Sequence, residues 1–152
     1  YYVANVTNAY RKAIDLYYKD PENFVCPEYL YDELKKSSHR NYTTGFYLGS
    51  NDKECIESSL PIATHEFIAL VLEDAKDGKV LVEQRNRFVK GEDLEILSPD
   101  DLHNKLLKVD RMYDLEGNIV EVANKVQQKL YLETDYPLKN GSILRREITK
   151  MA

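Results

Sequence analysis

The sequence predicts a mainly β fold in which two α-helices precede a small closed antiparallel β-barrel. Helical spacing of apolar residues is confined to the start of the 152-residue chain, and short β-branched runs separated by Gly turns follow it. A closed barrel leaves no open strand edge, which suits a chain with many short strands. We therefore expect a helical segment over 1–38 and a C-terminal barrel domain over 39–152.

Two nearly identical turn sequences support the barrel. Each combines a Lys and a Gly at a turn with a polar residue and a short apolar strand: Val89-Lys90-Gly91-Glu92-Asp93-Leu94-Glu95-Ile96 and Leu138-Lys139-Asn140-Gly141-Ser142-Ile143-Leu144-Arg145. Gly reaches backbone angles that other residues avoid, so it fixes where the chain reverses. We expect Gly91 to open one strand and Gly141 to open the closing strand. Such barrels more often bind than catalyse.

The first helix is predicted over residues 1–19. Its apolar residues recur at steps of three and four on one face: Val3, Val6, Tyr10, Ala13 or Ile14, and Tyr17. Asp20 ends it, because the residue before Pro21 avoids the helical region. A second helix begins at Pro27, which suits a first turn, and ends near Ser38.

About seven strands are predicted beyond His39. They cover residues 43–48, 67–72, 79–85, 94–97, 119–122, 129–133 and 143–148. Asp77-Gly78 is a hairpin turn, and the alternation in 129–133 turns Leu130 and Leu132 inward. Residues 103–113 permit either a helix or a strand, of which we favour the strand, and residues 50–64 predict a loop.

Composition narrows the class of protein. With 43% hydrophobic and 31% charged residues the chain is an ordered globular one. Its 21 Lys and Arg against 26 Asp and Glu argue against nonspecific nucleic-acid binding, although a local basic face remains possible. Cys26 and Cys55 fit reduced thiols in the cytoplasm, and no run of about 18 apolar residues predicts a membrane span. The chain opens in a helical pattern without Met, so we expect a piece of a longer protein.

No catalytic or metal motif is visible. The three His and two Cys lack metal-ligand spacing, and no nucleophile elbow, phosphate-binding loop or zinc-protease motif occurs. We therefore predict no catalytic residue, no metal and no cofactor in this chain, while a cofactor of the whole protein stays unknown.

Two polar clusters are candidate binding sites. His39 and Arg40 could hold a phosphate or carboxylate through the guanidinium, or they could simply tie a linker to the barrel. The second cluster, Arg85, Arg87 and Lys90, could contact RNA with the help of Phe88, or form a solvated strand edge. Arg85 and Arg87 share a face if the strand continues. Further cations would extend this patch if their strands are neighbours: Lys125, Lys129, Arg145 and Arg146.

These same stretches resemble a known family. Over almost its whole length the chain is similar to the C-terminal part of the collagenase-like peptidases of unknown catalytic type, which include tRNA hydroxylation proteins. The matching phrases are Tyr2-Val3-Ala4, Ala9-Tyr10-Arg11-Lys12-Ala13-Ile14-Asp15, Ser38-His39-Arg40, Thr43-Thr44-Gly45-Phe46-Tyr47, Glu83-Gln84-Arg85-Asn86 and Gly91-Glu92-Asp93-Leu94-Glu95. Family members often carry His-Pro before a paired Gln, whereas Lys125-Val126 stand there in this chain. The barrel half also resembles the second domain of translation elongation factors, a likeness of fold alone.

The resemblance implies an upstream α/β-barrel catalytic domain with a cysteine-rich signature. It implies prephenate-dependent 5-hydroxylation of the wobble uridine of tRNA, or, under the older family name, peptidase activity on collagen. The leading hypothesis is an accessory module that binds or positions tRNA or another RNA, next to its partner, the upstream domain. Two alternatives stay open: a peptidase fragment that helps recognise a protein substrate, and a structural module docked by the apolar face of residues 1–19.

Overall fold

The computed structural model describes residues 1–45, 47–49 and 61–148. These form two compact units, one over Tyr2–Thr64 and the other from His65 onward together with Tyr1. The units divide later in the chain than the change predicted near residue 38. Backbone hydrogen bonds between His39 and Ile62 explain the difference, because they hold residues 61–64 to the helical unit.

The first unit contains the two predicted helices, α1 (Tyr2–Lys19) and α2 (Glu28–Lys35). Pro27 is extended with φ −64° and ψ 140° and precedes the first turn of α2. The helices pack through small and polar groups, with the Asn5 side-chain amide donating to the Glu33 carbonyl oxygen at 2.8 Å. Ala9 and Leu30 are buried in the same unit.

The apolar face predicted on α1 is not the buried face. Asn5 and Ala9 are the buried residues of this helix, while the predicted stripe lies beside them and stays largely exposed. At about 100° per residue, Tyr2, Tyr10, Ile14 and Tyr17 fall within one sector of the helix, and each is more than two-fifths exposed. The sequence pattern was therefore that of a helix with an uncovered apolar face.

The strand predicted over residues 43–48 is wrong for the residues that are described there. Thr43 and Thr44 have no regular structure, and Gly45, Tyr47 and Leu48 are turn residues, with the Tyr47 amide donating to the Thr44 carbonyl at 3.1 Å. Gly45 adopts φ +55°, which interrupts an extended run. The loop predicted over 50–64, like Cys55 within it, lies mostly outside the described residues.

The second unit is built from ten short strands. They are β1 (His65–Val71), β2 (Lys79–Gln84), β3 (Phe88–Val89), β4 (Asp93–Leu97), β5 (Leu106–Lys108), β6 (Met112–Tyr113), β7 (Ile119–Val120), β8 (Val122–Ala123), β9 (Lys129–Glu133) and β10 (Ile143–Glu147). Eight form an antiparallel sheet in the order β5-β4-β10-β1-β2-β9-β6-β7, and β3 pairs with β8. The strand preference for residues 103–113 is thus confirmed by β5 and β6.

The hairpin between β1 and β2 is confirmed at Asp77-Gly78. Both residues have positive φ, 51° and 75°, the signature of a two-residue turn whose twist matches the flanking strands. In β9, Leu130 and Leu132 are fully buried as predicted.

The Gly residues of the two repeated turn sequences adopt similar backbone angles, and the strands that follow the turns are neighbours in the sheet. Gly91 and Gly141 have φ of 90° and 86°, and each is followed by a strand, β4 and β10. Those strands pair antiparallel, with Leu144 opposite Ile96. On its other side β10 pairs with β1, where His65 lies opposite Glu147.

The sheet is curled but, among the described residues, not closed. Its order runs in a line from β5 to β7, so these two strands form its edges and the fold is a half-barrel. The closed barrel, and with it the likeness to the second domain of translation factors, is not confirmed. A core of fully buried aliphatic side chains and Phe88 lines the inside of the curl. None of the helices in the described part of the chain is long and apolar enough to cross a bilayer.

Candidate functional site

Arg85 and Arg87 lie at a bend rather than along one strand. The chain leaves the β-ladder at Gln84, and the amides of Arg85 and Asn86 both donate to the Ile68 carbonyl, at 2.7 and 3.1 Å. This carbonyl lies at the irregularity of β1, where the pairing shifts between Phe67 and Ala69. The expectation that the two Arg side chains share a strand face is therefore not met.

Most cations of the Arg85, Arg87 and Lys90 cluster are paired with acids. Arg85 Nη2 lies 2.6 Å from Glu83 Oε1, and Lys90 Nζ lies 3.2 Å from Glu121 Oε1. The side chain of Arg87 is exposed and has neither an ion pair nor a hydrogen bond with any residue that the structure describes. Arg87 is thus the cation of this cluster best placed to bind an external anion.

Arg146 adjoins the cluster but is held by two carboxylates. Its guanidinium contacts Glu66 Oε1 at 2.6 Å and Glu92 Oε2 at 2.5 Å, and it donates to the Arg87 carbonyl at 3.3 Å. Burial alone would lower the pKa of Arg146, but its hydrogen bonds to the two carboxylates outweigh burial and leave that pKa raised. Arg146 therefore braces the bend instead of extending a basic surface.

Arg145 is not a surface cation either. Its side chain is fully buried, and its Nε donates to Glu95 Oε1 at 2.6 Å while Nη2 donates to Asn104 Oδ1 at 2.7 Å. His65 Nε2 lies 3.8 Å from the second oxygen of Glu95. Phe88 is also fully buried, so its ring belongs to the core and is not accessible for base stacking. The extended patch predicted through Arg145 is therefore wrong.

His39 and Arg40 belong to the helical unit, whereas the cluster of Arg85, Arg87 and Lys90 belongs to the sheet unit. His39 Nδ1 lies 2.9 Å from the Ser37 carbonyl oxygen, and the His39 ring stacks on Tyr42 with 4.6 Å between centroids. The Tyr42 hydroxyl donates to the Leu34 carbonyl at 3.0 Å, and burial raises its pKa. His39 thus ties the segment after α2 to the helices, whereas Arg40 is exposed.

The described residues contain no cluster of metal ligands and one free thiol. Within 1–45, 47–49 and 61–148, no three His, Cys, Asp or Glu side chains converge as metal ligands. Cys26 is a free thiol that hydrogen-bonds Tyr31 and raises the pKa of its hydroxyl.

Sequence reasoning missed one surface, the outward face of β2, β9 and β6. Leu81, Tyr131 and Tyr113 are cross-strand neighbours there and line a groove of about 480 Å³. The signal was present in the alternation Leu130-Tyr131-Leu132, where an aromatic residue occupies the outward position between two buried leucines.

Comparisons with known protein families match both halves of the chain. The model of the peptidase family U32 C-terminal domain matches residues 63–145, and the model of peptidase family U32 matches residues 1–57. The chain is 31% identical over 149 residues to the tRNA hydroxylation protein P1 of Bacillus subtilis (strain 168). That alignment covers 96% of this chain and 35% of the relative, so the chain spans about a third of the relative's length.

Two crystal structures of the C-terminal domain of a Geobacillus thermoleovorans protein of the U32 peptidase group are also similar. The selenomethionine variant is 27% identical, with a TM-score of 0.49, and covers 53% of this chain and 99% of that domain. The second crystal structure is 28% identical, with a TM-score of 0.48, and covers 55% of this chain and 93% of that domain.

Proposed function

This chain belongs to peptidase family U32, and on that premise we propose that it is the non-catalytic accessory part of a larger cytoplasmic tRNA-hydroxylating protein. The name of the Bacillus relative supports the substrate class, and the relative's greater length supports a catalytic domain elsewhere. The described residues bring together no set of metal ligands, which agrees with a binding role.

The accessory role that the geometry favours is docking onto the upstream catalytic domain through α1. The observation that carries it is the exposed stripe of Tyr2, Tyr10, Ile14 and Tyr17, each between 42 and 61% exposed. Contiguous apolar patches rimmed by polar residues mark interfaces, and Tyr is enriched in interface cores. The opposite face of α1 carries the exposed Arg11–Asp15 ion pair and is ordinary solvated surface.

The docking surface predicts a specific loss of binding. When the upstream segment is produced separately and titrated with this chain, we expect a stoichiometric complex by calorimetry. Replacing Tyr10, Ile14 and Tyr17 by Ser is expected to weaken it at least about a hundredfold, since central aromatic contacts dominate interface energies.

The matched control lies on the same helix. Arg11→Ser/Asp15→Ser disturbs the helix similarly but is expected to change affinity less than about threefold. Equal loss in both variants, or a gene without any upstream segment, would contradict docking through this stripe.

A second candidate role is contact with the RNA substrate at Arg87. It is favoured by the exposed Arg87 guanidinium, which meets no carboxylate among the described residues. Arg85 and Lys90 are each neutralised by an ion pair with a carboxylate. We therefore assign RNA contact to Arg87 in preference to the whole predicted cluster.

Arg87→Ala is expected to reduce the slope of log affinity for tRNA against log salt concentration by about one, the contribution of one phosphate contact. Filter binding over a salt series measures this slope. Lys19→Ala, which removes an exposed cation at the end of α1, is the control and should leave the slope unchanged. An unaltered slope in Arg87→Ala would contradict RNA contact by Arg87, and an unaltered slope in Arg85→Ala/Arg87→Ala would contradict RNA contact at this bend.

A further inference from the structure

A groove on the sheet unit is used by neither proposed role. It lies on the outward face of β2, β9 and β6, and its floor is formed by Leu81, Tyr131 and Tyr113. One wall is the segment 73–77 between β1 and β2, and the other is the turn 114–117 between β6 and β7. The groove is therefore a concave, partly aromatic surface between two fixed loops.

The floor already holds a cation. Lys79 Nζ lies 4.3 Å from the centroid of the Tyr113 ring, within the range of a cation–π contact. The Tyr113 hydroxyl donates to Glu133 Oε1 at 2.6 Å, which fixes the plane of the ring. An ammonium or guanidinium group from another molecule would find the same ring face in the same orientation.

The walls are strongly acidic. They carry five carboxylates, those of Glu73, Asp74, Asp77, Asp114 and Glu116, against the two ammonium groups of Lys76 and Lys79. Two of these carboxylates are engaged within the chain. Asp74 pairs with Lys139 at 2.8 Å, and Asp114 accepts hydrogen bonds from Asn118 in its own turn.

The negative charge of the remaining wall carboxylates is largely uncompensated by the described residues. Glu73 and Asp77 have neither a hydrogen bond nor an ion pair through their side chains with any residue in the described ranges, and Glu116 has one contact of 3.5 Å with Asn118. A negative field over an aromatic floor attracts cationic side chains and repels the phosphates of RNA.

We propose that this groove binds a basic segment of a partner protein. A Lys or Arg side chain of that segment displaces Lys79 from the Tyr113 ring, and its charge faces Glu73 and Asp77. The aliphatic part of the segment packs on Leu81 and Tyr131. The binding is independent of the α1 stripe and of Arg87, because none of the groove residues belongs to either surface.

Fluorescence anisotropy with the full chain tests the proposal. The probe is a short fluorescein-labelled peptide in which lysine alternates with valine, and the reference probe has glutamate in place of lysine. We expect the lysine peptide to bind and the glutamate peptide not to bind. Glu73→Gln/Asp77→Asn/Glu116→Gln is expected to weaken it at least about tenfold. Asn accommodates the φ of +51° at Asp77, so the hairpin is retained.

The control has the same change of net charge elsewhere. Glu22→Gln/Glu28→Gln/Asp101→Asn removes three exposed carboxylates outside the groove and should alter affinity less than about twofold. Equal weakening in both triple variants would overturn the proposal, because attraction would then be a property of the whole chain.

The aromatic floor gives a second test. Tyr113→Phe keeps the ring and should retain binding, whereas Tyr113→Leu should lose it. Lys79→Gln frees the ring and should strengthen binding, with Lys19→Gln as its charge-matched control. Three results would each overturn a site for basic protein segments. They are unchanged binding of the lysine peptide to Tyr113→Leu, equal binding of the glutamate peptide, and binding of an oligouridylate that depends on Tyr113.

Discussion

Arg145→Ala is expected to lower the free energy of unfolding of the sheet unit by about 3–5 kcal/mol, the cost of leaving a buried charge without its partner. Arg145 is fully buried, and its guanidinium is the counter-charge of Glu95, whose side chain is only 16% exposed. Removing it strands the carboxylate between β4 and β10 and also deprives Asn104 of a donor. Urea unfolding of the full chain, followed by circular dichroism, measures the loss.

Two companion variants separate the buried charge from general damage. Arg85→Ala removes a cation whose own side chain is 36% exposed, and it should cost less than about 1 kcal/mol. Arg145→Met/Glu95→Met removes both charges and keeps most of the volume, so it should recover much of the stability and remain measurable if Arg145→Ala does not fold. An Arg145→Ala protein as stable as the parent would contradict a structural role for the pair.

Phe88→Ala is the second large effect, with an expected loss of about 3–5 kcal/mol in the free energy of unfolding. The ring is fully buried in the core of the half-barrel, and β3 contributes only two residues to its pairing with β8. The deletion therefore leaves a cavity that a short strand pair cannot close by local repacking. Urea unfolding of Phe88→Ala beside Arg87→Ala, its exposed neighbour, gives the comparison, since Arg87→Ala should change stability by less than about 0.5 kcal/mol.

The same pair of variants distinguishes a core residue from a base-stacking residue. A core Phe88 changes stability and alters tRNA affinity only as far as the fold is lost. If Phe88→Ala kept full stability and lost tRNA binding, the ring would be a contact residue, and its burial in the folded chain would have to be transient.

Features set by neighbouring residues were predictable from the sequence. The Asp77-Gly78 hairpin, the two turns at Gly91 and Gly141, and the inward leucines of β9 all follow from backbone preferences and a period of two. The strand predicted over 43–48 is wrong because Gly45 adopts a left-handed backbone conformation there. Residue composition alone does not reveal that conformation. Strands as short as β3 and β8 carry too few residues to show a period.

The electrostatics of the candidate site could not be predicted, because the partners are distant in sequence. Glu66 pairs with Arg146 across 80 positions, and Glu95 with Arg145 across 50. A count of local cations therefore overstated the basic surface. The uncovered stripe of α1 was visible as a pattern, but only the structure shows that α2 covers Asn5 and Ala9 instead.

The pairing of His65 with Glu147 affects how the sheet unit can be joined to other protein chains. The first residue of β1 and the last residue of β10 lie opposite each other, so the sheet unit enters and leaves its fold at one place. Such a unit can be appended to, or inserted into, a host chain through a single pair of junctions without disturbing a ladder. For the same reason a circular permutant could join these ends by a short linker and open at Asp77-Gly78, with the strand order intact.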